Sequence, residues 1–238
     1  MKVGTDGCLL GAWADVPGVD VALTDETDAR QPRILDVGTG TGVIALMMAQ
    51  RFPEARLVAI DIDGDAVSQA AANVADSIFA SRITVQQADF SLFTDVGFSA
   101  VVCNPPYFVG ALECPDPQRS LARHADTLNY DVLARQSFRV LLDGGELSVV
   151  VPVEALSLMQ TAVAVAGFLP SRQCAVRTTP SKPPRRYLLS FRKPSAPDVS
   201  HSTFHAPYST PDALRNQQEI VIGSAEYAAL MRDFYLKM

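Results

Sequence analysis

Between Arg33 and Asp61 the chain sets an apolar run, three alternating glycines, a helical pattern and a second apolar run in immediate succession. Arg33-Ile34-Leu35-Asp36-Val37 reads as a strand buried on both faces, since its apolar residues do not alternate with polar ones. Gly38, Gly40 and Gly42 permit a sharp turn. Val43 to Gln50 reads as a helix that Pro53 ends, and Leu57 to Ile60 as a second buried strand.

The alternation continues along the chain. Asp65 to Ser77 is Ala-rich and helical in pattern, Ile83 to Gln87 is a third strand and Ser99 to Cys103 a fourth. Tyr130 to Leu142 reads as a helix stopped by Gly144-Gly145, followed by a strand over Leu147 to Val151 and a helix over Glu154 to Val165. Short buried strands alternating with helices argue for an α/β fold, a mostly parallel sheet with helices on both faces. Gln173 to Thr178 and Tyr187 to Phe191, joined by Pro-Ser-Lys-Pro-Pro-Arg-Arg, read as an antiparallel hairpin with a basic loop. Ser195 to Pro211 reads as irregular. Ala225 to Leu236 reads as a closing helix whose stripe of Tyr227, Leu230, Met231, Phe234 and Tyr235 packs on the core. One domain over residues 1–238 is expected.

Composition narrows the function. With 48% apolar and 19% charged residues the chain is not disordered, and no run of about 18 apolar residues offers a membrane span. The first residues lack an apolar core with a cleavage site, so a cytoplasmic address is expected. Cys8, Cys103, Cys114 and Cys174 have no CxxC spacing and the three histidines are scattered, so neither a disulfide framework nor a bound metal is expected. The net charge of −6 excludes a globally basic nucleic-acid binder but not a local basic face. From Ala155 to Pro197 there is no acidic residue, and Arg172, Arg177, Lys182, Arg185, Arg186, Arg192 and Lys193 lie there.

Asp36-Val37-Gly38-Thr39-Gly40-Thr41-Gly42 follows a strand and opens a helix. Glycines let backbone approach a ligand, and a helix N-terminus offers free N–H groups. Asp61, at the end of the second strand, can accept both ribose hydroxyls of an adenosine. Asp89 follows the third strand and can accept from an adenine amine, with Ile62 or Phe90 against the ring. A nicotinamide dinucleotide prefers G-x-G-x-x-G; D-x-G-x-G-x-G resembles the S-adenosylmethionine loop of class I methyltransferases, although a plain tight turn uses the same glycines.

Asn104-Pro105-Pro106-Tyr107-Phe108 ends the fourth strand. Two prolines stiffen the backbone and remove two donors. The Asn104 side-chain oxygen and the Pro105 carbonyl can then face one planar amino group and make its nitrogen more nucleophilic. Tyr107 offers a face for a planar substrate. Gly110 to Asn129, with Pro115 and Pro117, is a candidate substrate loop.

Met1-Lys2-Val3-Gly4-Thr5-Asp6-Gly7, the glycine loop, Asn104 to Phe108, Pro117-Gln118-Arg119 with Arg123, and Phe234-Tyr235-Leu236 together resemble the bacterial tRNA1(Val) adenine-N6 methyltransferases. The resemblance covers most of residues 1–155 and the C-terminal helix. It implies a Rossmann-like class I methyltransferase with a seven-stranded sheet. It further implies S-adenosylmethionine at Asp36, Gly38, Gly40, Gly42, Asp61, Ile62, Asp89 and Phe90, with Lys2, Thr5 and Asp6 toward its methionine end. Asn104 is shared by the cofactor site and the catalytic set Asn104, Pro105, Pro106 and Tyr107. Such proteins carry an aromatic and basic segment ahead of the Lys-Val-Gly-Thr-Asp-Gly stretch, and that segment is expected to raise tRNA affinity.

The implied reaction is methylation of the N6 amine of adenine 37, beside the tRNA anticodon. Tyr107, Phe108, Arg119, Arg123, Lys182, Arg185 and Arg186 are the expected RNA contacts. N-P-P-Y reports a planar amino acceptor rather than adenine, so a protein glutamine amide and an rRNA guanine N2 stay open as acceptors. A non-catalytic RNA-binding module is a third reading, disfavoured by the intact motifs. No Lys, Tyr or His is evident as a hydride-transfer partner for a dehydrogenase.

Overall fold

The computed structural model describes residues 4–18, 31–106, 129–195 and 217–234. Its elements are α1 (Thr5–Trp13), β1 (Arg33–Val37), α2 (Val43–Arg51), β2 (Arg56–Asp61), α3 (Gly64–Ala75), β3 (Ile83–Gln87), β4 (Phe98–Cys103), α4 (Tyr130–Val140), β5 (Leu141–Pro152), α5 (Leu156–Ala166), β6 (Leu169–Arg177), β7 (Arg186–Arg192), β8 (Gln217–Val221) and α6 (Ala225–Met231). The strands form one sheet in the order β3-β2-β1-β4-β5-β7-β6-β8. β1 to β5 pair in parallel, β7 is antiparallel to β5 and β6, and β8 is parallel to β6.

The described sheet therefore has eight strands where seven were expected. The added strand, β8, is an edge strand on which only Ile220 is buried, so its sequence carries no apolar run. The expected hairpin is present as β6 and β7. Gly144-Gly145 does not stop a helix: α4 ends at Val140 and β5 starts at once. The two glycines instead mark an irregularity in the β4–β5 register between Phe98–Leu141 and Ala100–Glu146. A Cβ on Gly145 would lie 2.9 Å from the Leu142 carbonyl oxygen, so only glycine fits there.

Alternation along β1 sets the two layers. Ile34 joins the core beneath α1, α2 and α6, while Leu35 and Val37 join the core beneath α4 and α5. Both faces are covered, which is why the strand is apolar throughout. Asp36 is the exception and faces the α2 side. On the α1 side the first turns of the two helices meet closely. Gly7 and Gly11 lie one turn apart, and a Cβ on Gly11 would stand 3.0 Å from Met47 Cβ and Sδ.

Two arginines finish helices that lack better caps. Arg51 donates to the Gly11 and Ala14 carbonyls at the end of α1, and Arg82 to the Ala49, Phe52 and Ala55 carbonyls at the end of α2. Trp13 ties α1 to the far edge of the sheet, its Nε1 donating to Gln218 Oε1 on β8 at 3.0 Å. Among the described residues no helix is long and apolar enough to cross a membrane.

Candidate active site

The connections from β1 and β4 leave toward opposite edges of the sheet, so a crevice opens beyond the carboxyl ends of these neighbours. The register fixes what stands there. Val37 pairs with both Ile60 and Cys103, and Asp61 pairs with Gln87. Gly38, Asn104, Ile62 and Ala88-Asp89 therefore emerge along one edge, from four strands that are contiguous in space and far apart in sequence.

The glycine loop is held by its own backbone. The Gly38 and Thr39 N–H groups both donate to the Ile60 carbonyl at 2.9 Å, and the Gly42 N–H donates to Thr39 at 2.9 Å. Gly38, Gly40 and Gly42 have φ of 69°, 57° and 81°, a region that side-chain-bearing residues avoid. Space separates their roles. A Cβ on Gly38 would meet nothing within 4 Å, so Gly38 borders the open crevice, whereas one on Gly42 would lie 3.4 Å from Ala70 Cβ on α3. Asn73 of α3 also donates to the Thr41 carbonyl at 2.8 Å and locks the loop from behind.

Asp61 accepts from the Gly40 N–H at 2.9 Å through Oδ2 and from the Asp63 N–H at 3.1 Å through Oδ1. Each oxygen keeps acceptor capacity, which is what two adjacent hydroxyls require. Asp36 lies beneath the loop and is fully buried. Its Oδ2 accepts from Thr39 Oγ1 at 2.6 Å and from the Ala45 N–H at 3.1 Å, while its Oδ1 is buried without a hydrogen-bond partner. Burial pushes the carboxyl up to about 7, against the pull of the Thr39 and Ala45 hydrogen bonds and with the help of the Asp61 charge.

Asp89 is exposed, and its Oδ1 caps the turn Phe90–Leu92 by accepting from the Ser91 N–H at 2.8 Å. Phe90 departs from the sequence reading. Its ring is buried in the core at 6.3 Å from the ring of Phe93. Ile62, the other apolar side chain expected against the adenine, is 60% exposed. Gln87 supports it, donating from Nε2 to the Ile62 carbonyl at 3.0 Å. Sequence reasoning overlooked Gln87, Thr39 and Asn73; only Thr39, inside the glycine loop, carried a signal by its position.

Asn104 follows β4 directly, and its Oδ1 is buried without a hydrogen-bond partner. Pro105 is buried and Pro106 exposed. Tyr107, Phe108, Arg119, Arg123 and Lys2 lie outside the described residues, as does nearly all of the expected substrate loop. Thr5 is exposed in the first turn of α1.

The basic segment divides. Arg172 lies 3.5 Å from Asp15, Arg177 2.8 Å from Glu219 and Lys193 3.4 Å from Asp143. Arg186 Nε donates to Asp6 Oδ2 at 3.0 Å, so this expected RNA contact is engaged inside the protein. Lys182 and Arg185 are exposed on the β6–β7 hairpin. Arg186 pairs with Pro152 at the carboxyl end of β5, so the hairpin projects from the same edge of the sheet as Asn104. Among the described residues no group of three or more His, Cys, Asp and Glu could hold a metal.

Comparison with known proteins agrees with this geometry. Residues 20–161 match the family model described as Methyltransferase small domain. A tRNA1(Val) (adenine(37)-N6)-methyltransferase from Phocaeicola vulgatus is 43% identical over 239 residues, covering 100% of this chain and 92% of that protein. The enzyme of the same name from Bacteroides fragilis strain ATCC 25285 is 41% identical over 242 residues with the same coverage. Among solved structures, a predicted O-methyltransferase from Agrobacterium tumefaciens superposes with a TM-score of 0.59 at 20% identity, over 80% of this chain and 82% of that one, and so shares the fold. With its glycine loop and Asn-Pro-Pro segment meeting at the switch point, the chain belongs to the tRNA1(Val) (adenine(37)-N6)-methyltransferase family.

Proposed function

We infer that the protein transfers a methyl group from S-adenosylmethionine to the N6 amine of adenine 37 in tRNA1(Val), acting in the cytoplasm. The observation that carries the reading is the Asn104 Oδ1 acceptor, buried without a partner, one residue past the register pair Val37–Cys103 and so beside the glycine loop.

The described residues fit the cofactor. Open space at Gly38, the spare acceptor capacity of Asp61 and the unpartnered Asp36 Oδ1 suit an adenosine joined to an amino acid. When bound, the cofactor supplies an electrophilic methyl carbon on a sulfonium. Asp61 would hold the ribose, Ile62 and Asp89 the adenine, and Asp36 Oδ1 would accept a donor from the methionine side.

Asn104 Oδ1 and the Pro105 carbonyl would accept the two N–H groups of the target amine. That would draw the nitrogen lone pair out of the ring system and fix the orientation of the amine. The two acceptors would meet the positive charge that gathers at the amine nitrogen on methylation, and the surplus proton would pass to water. No strong base is needed. Tyr107 would stack the extruded base, at a gain of about 1–3 kcal/mol. Lys182 and Arg185, on the same edge as Asn104, would meet tRNA phosphates without requiring a basic protein overall.

The test is transfer from tritiated-methyl S-adenosylmethionine to bulk tRNA and, in parallel, to release-factor protein. Label in tRNA supports the reading. Label in protein alone assigns the acceptor to a glutamine amide.

A further inference from the structure

Arg186 occupies a position that the phosphate-contact reading does not explain. It is the first residue of β7, in register with Pro152 on β5 and Val176 on β6, at the base of the loop that carries Lys182 and Arg185. The residue before it is fixed on both sides: the Arg185 N–H donates to the Val176 carbonyl at 2.9 Å, and the Val153 N–H donates to the Arg185 carbonyl at 3.3 Å. Its side chain reaches Asp6 through Nε at 3.0 Å, with side-chain exposures of 30% for Arg186 and 24% for Asp6, while Nη1 donates to the Arg185 carbonyl at 2.9 Å. Asp6 is in the first turn of α1. One residue later, a methyl group placed on Gly7 would stand 3.7 Å from the side chains of Val43 and Ile44, the first residues of α2. α2 begins directly after Gly42. A short chain of contacts thus runs from the hairpin, through the ion pair and α1, to the glycine loop.

We propose that Arg186 is a positioning residue for the cofactor crevice and not a phosphate contact: its pair with Asp6 seats the first turn of α1 against the start of α2. The inference rests on the function argued above. It makes the RNA-facing hairpin and the cofactor-facing helix one mechanical unit. A displacement of the hairpin then reaches the glycine loop through this partly buried ion pair. By linkage, whatever factor bound cofactor applies to tRNA affinity, bound tRNA applies to cofactor affinity.

The experiment uses the full chain and four variants: Arg186→Gln, Asp6→Asn, the double variant, and Arg185→Gln. Equilibrium dialysis gives the Kd for labelled S-adenosylmethionine, and filter binding gives tRNA affinity against salt concentration. Thermal melts confirm folding; should Arg186→Gln not fold, Arg186→Lys is read the same way, since an ammonium lacks the Nε donor of this pair. Arg186→Gln and Asp6→Asn should each raise the cofactor Kd about fivefold, and the double variant no further. Arg186→Gln should keep the wild-type salt slope of tRNA binding, whereas Arg185→Gln should reduce it by about one charge and leave the cofactor Kd unchanged. A salt slope lowered by Arg186→Gln with an unchanged cofactor Kd, or additive effects in the double variant, would overturn the proposal. A wild-type chain that binds neither cofactor nor tRNA would instead overturn the function itself.

Discussion

Asp36 is a buried carboxyl whose protonation should govern the stability of the ligand-free protein. Its two hydrogen bonds, from Thr39 and Ala45, both go to Oδ2, and nothing answers Oδ1. Burial therefore wins, and the carboxyl moves from 3.8 to about 7. In the unfolded chain the group ionises near 3.8, so between pH 4 and pH 7 the folded state binds the extra proton. Stability contributed by the neutral carboxyl is complete below about pH 4 and is lost progressively as pH rises to about 7. Three pKa units amount to about 4 kcal/mol over that window, or roughly 3 kcal/mol between pH 5 and pH 8. Asp36→Asn removes the titration. The amide oxygen can still accept from Thr39 and Ala45, and the amide nitrogen takes the place of the lone oxygen. Urea titrations of both proteins at a series of pH values isolate the effect, because the two differ only at this carboxyl and in the groups coupled to it. The stability of Asp36→Asn relative to wild type should climb by about 3 kcal/mol from pH 5 to pH 8. A difference that stays constant with pH would show that Asp36 ionises as an ordinary aspartate and would refute the reasoning.

The same carboxyl predicts how the cofactor binds. A ligand that donates to Oδ1 selects the ionised form, so cofactor affinity should rise with pH up to about 7 and level off above it; isothermal titration in buffers of different ionisation heat would count the released proton, and a count of zero would contradict the assignment. Asn104→Ala should leave the cofactor Kd within about twofold and lower kcat by roughly a hundredfold or more, since it removes an acceptor needed only as charge develops. Normal turnover in a tritiated-methyl assay would exclude that role. Gly42→Ala places a side chain at φ 81° and brings its Cβ 3.4 Å from Ala70, and should cost about 1–2 kcal/mol in chemical denaturation. An unchanged midpoint would mean that α3 yields at no cost.

The parts of the fold legible in the sequence were those with one dominant signal. β1 and β3 have the residue limits read from their apolar runs, and α2 lies between Gly42 and Pro53 as its pattern indicates. α1 was not legible, for a physical reason. Thr5 to Trp13 contains two glycines, and Gly7, Leu9, Leu10, Gly11, Ala12 and Trp13 are all buried, so the helix has no polar face to produce a periodicity. β8 was hidden for the opposite reason, an edge strand with a single buried residue. In the candidate site, local motifs singled out Gly38, Asp61 and Asn104, and the sheet register sets them along one edge. Contacts made across long sequence intervals were invisible: Phe90 went to the core and Arg186 to Asp6, 180 positions away. Charge runs report composition, not partners, which is why Arg172, Arg177 and Lys193 read as a basic face and fold as ion pairs.

The central claim is that Asn104 and Pro105 present two acceptors to adenine N6 in an anticodon loop. It is tested most directly by mass spectrometry of purified tRNA1(Val) after incubation with S-adenosylmethionine and the protein, on nucleoside digests and on ribonuclease fragments. The account predicts N6-methyladenosine in the fragment that contains adenine 37, and its loss with Asn104→Ala. N2-methylguanosine, or N6-methyladenosine elsewhere in the tRNA, would contradict it.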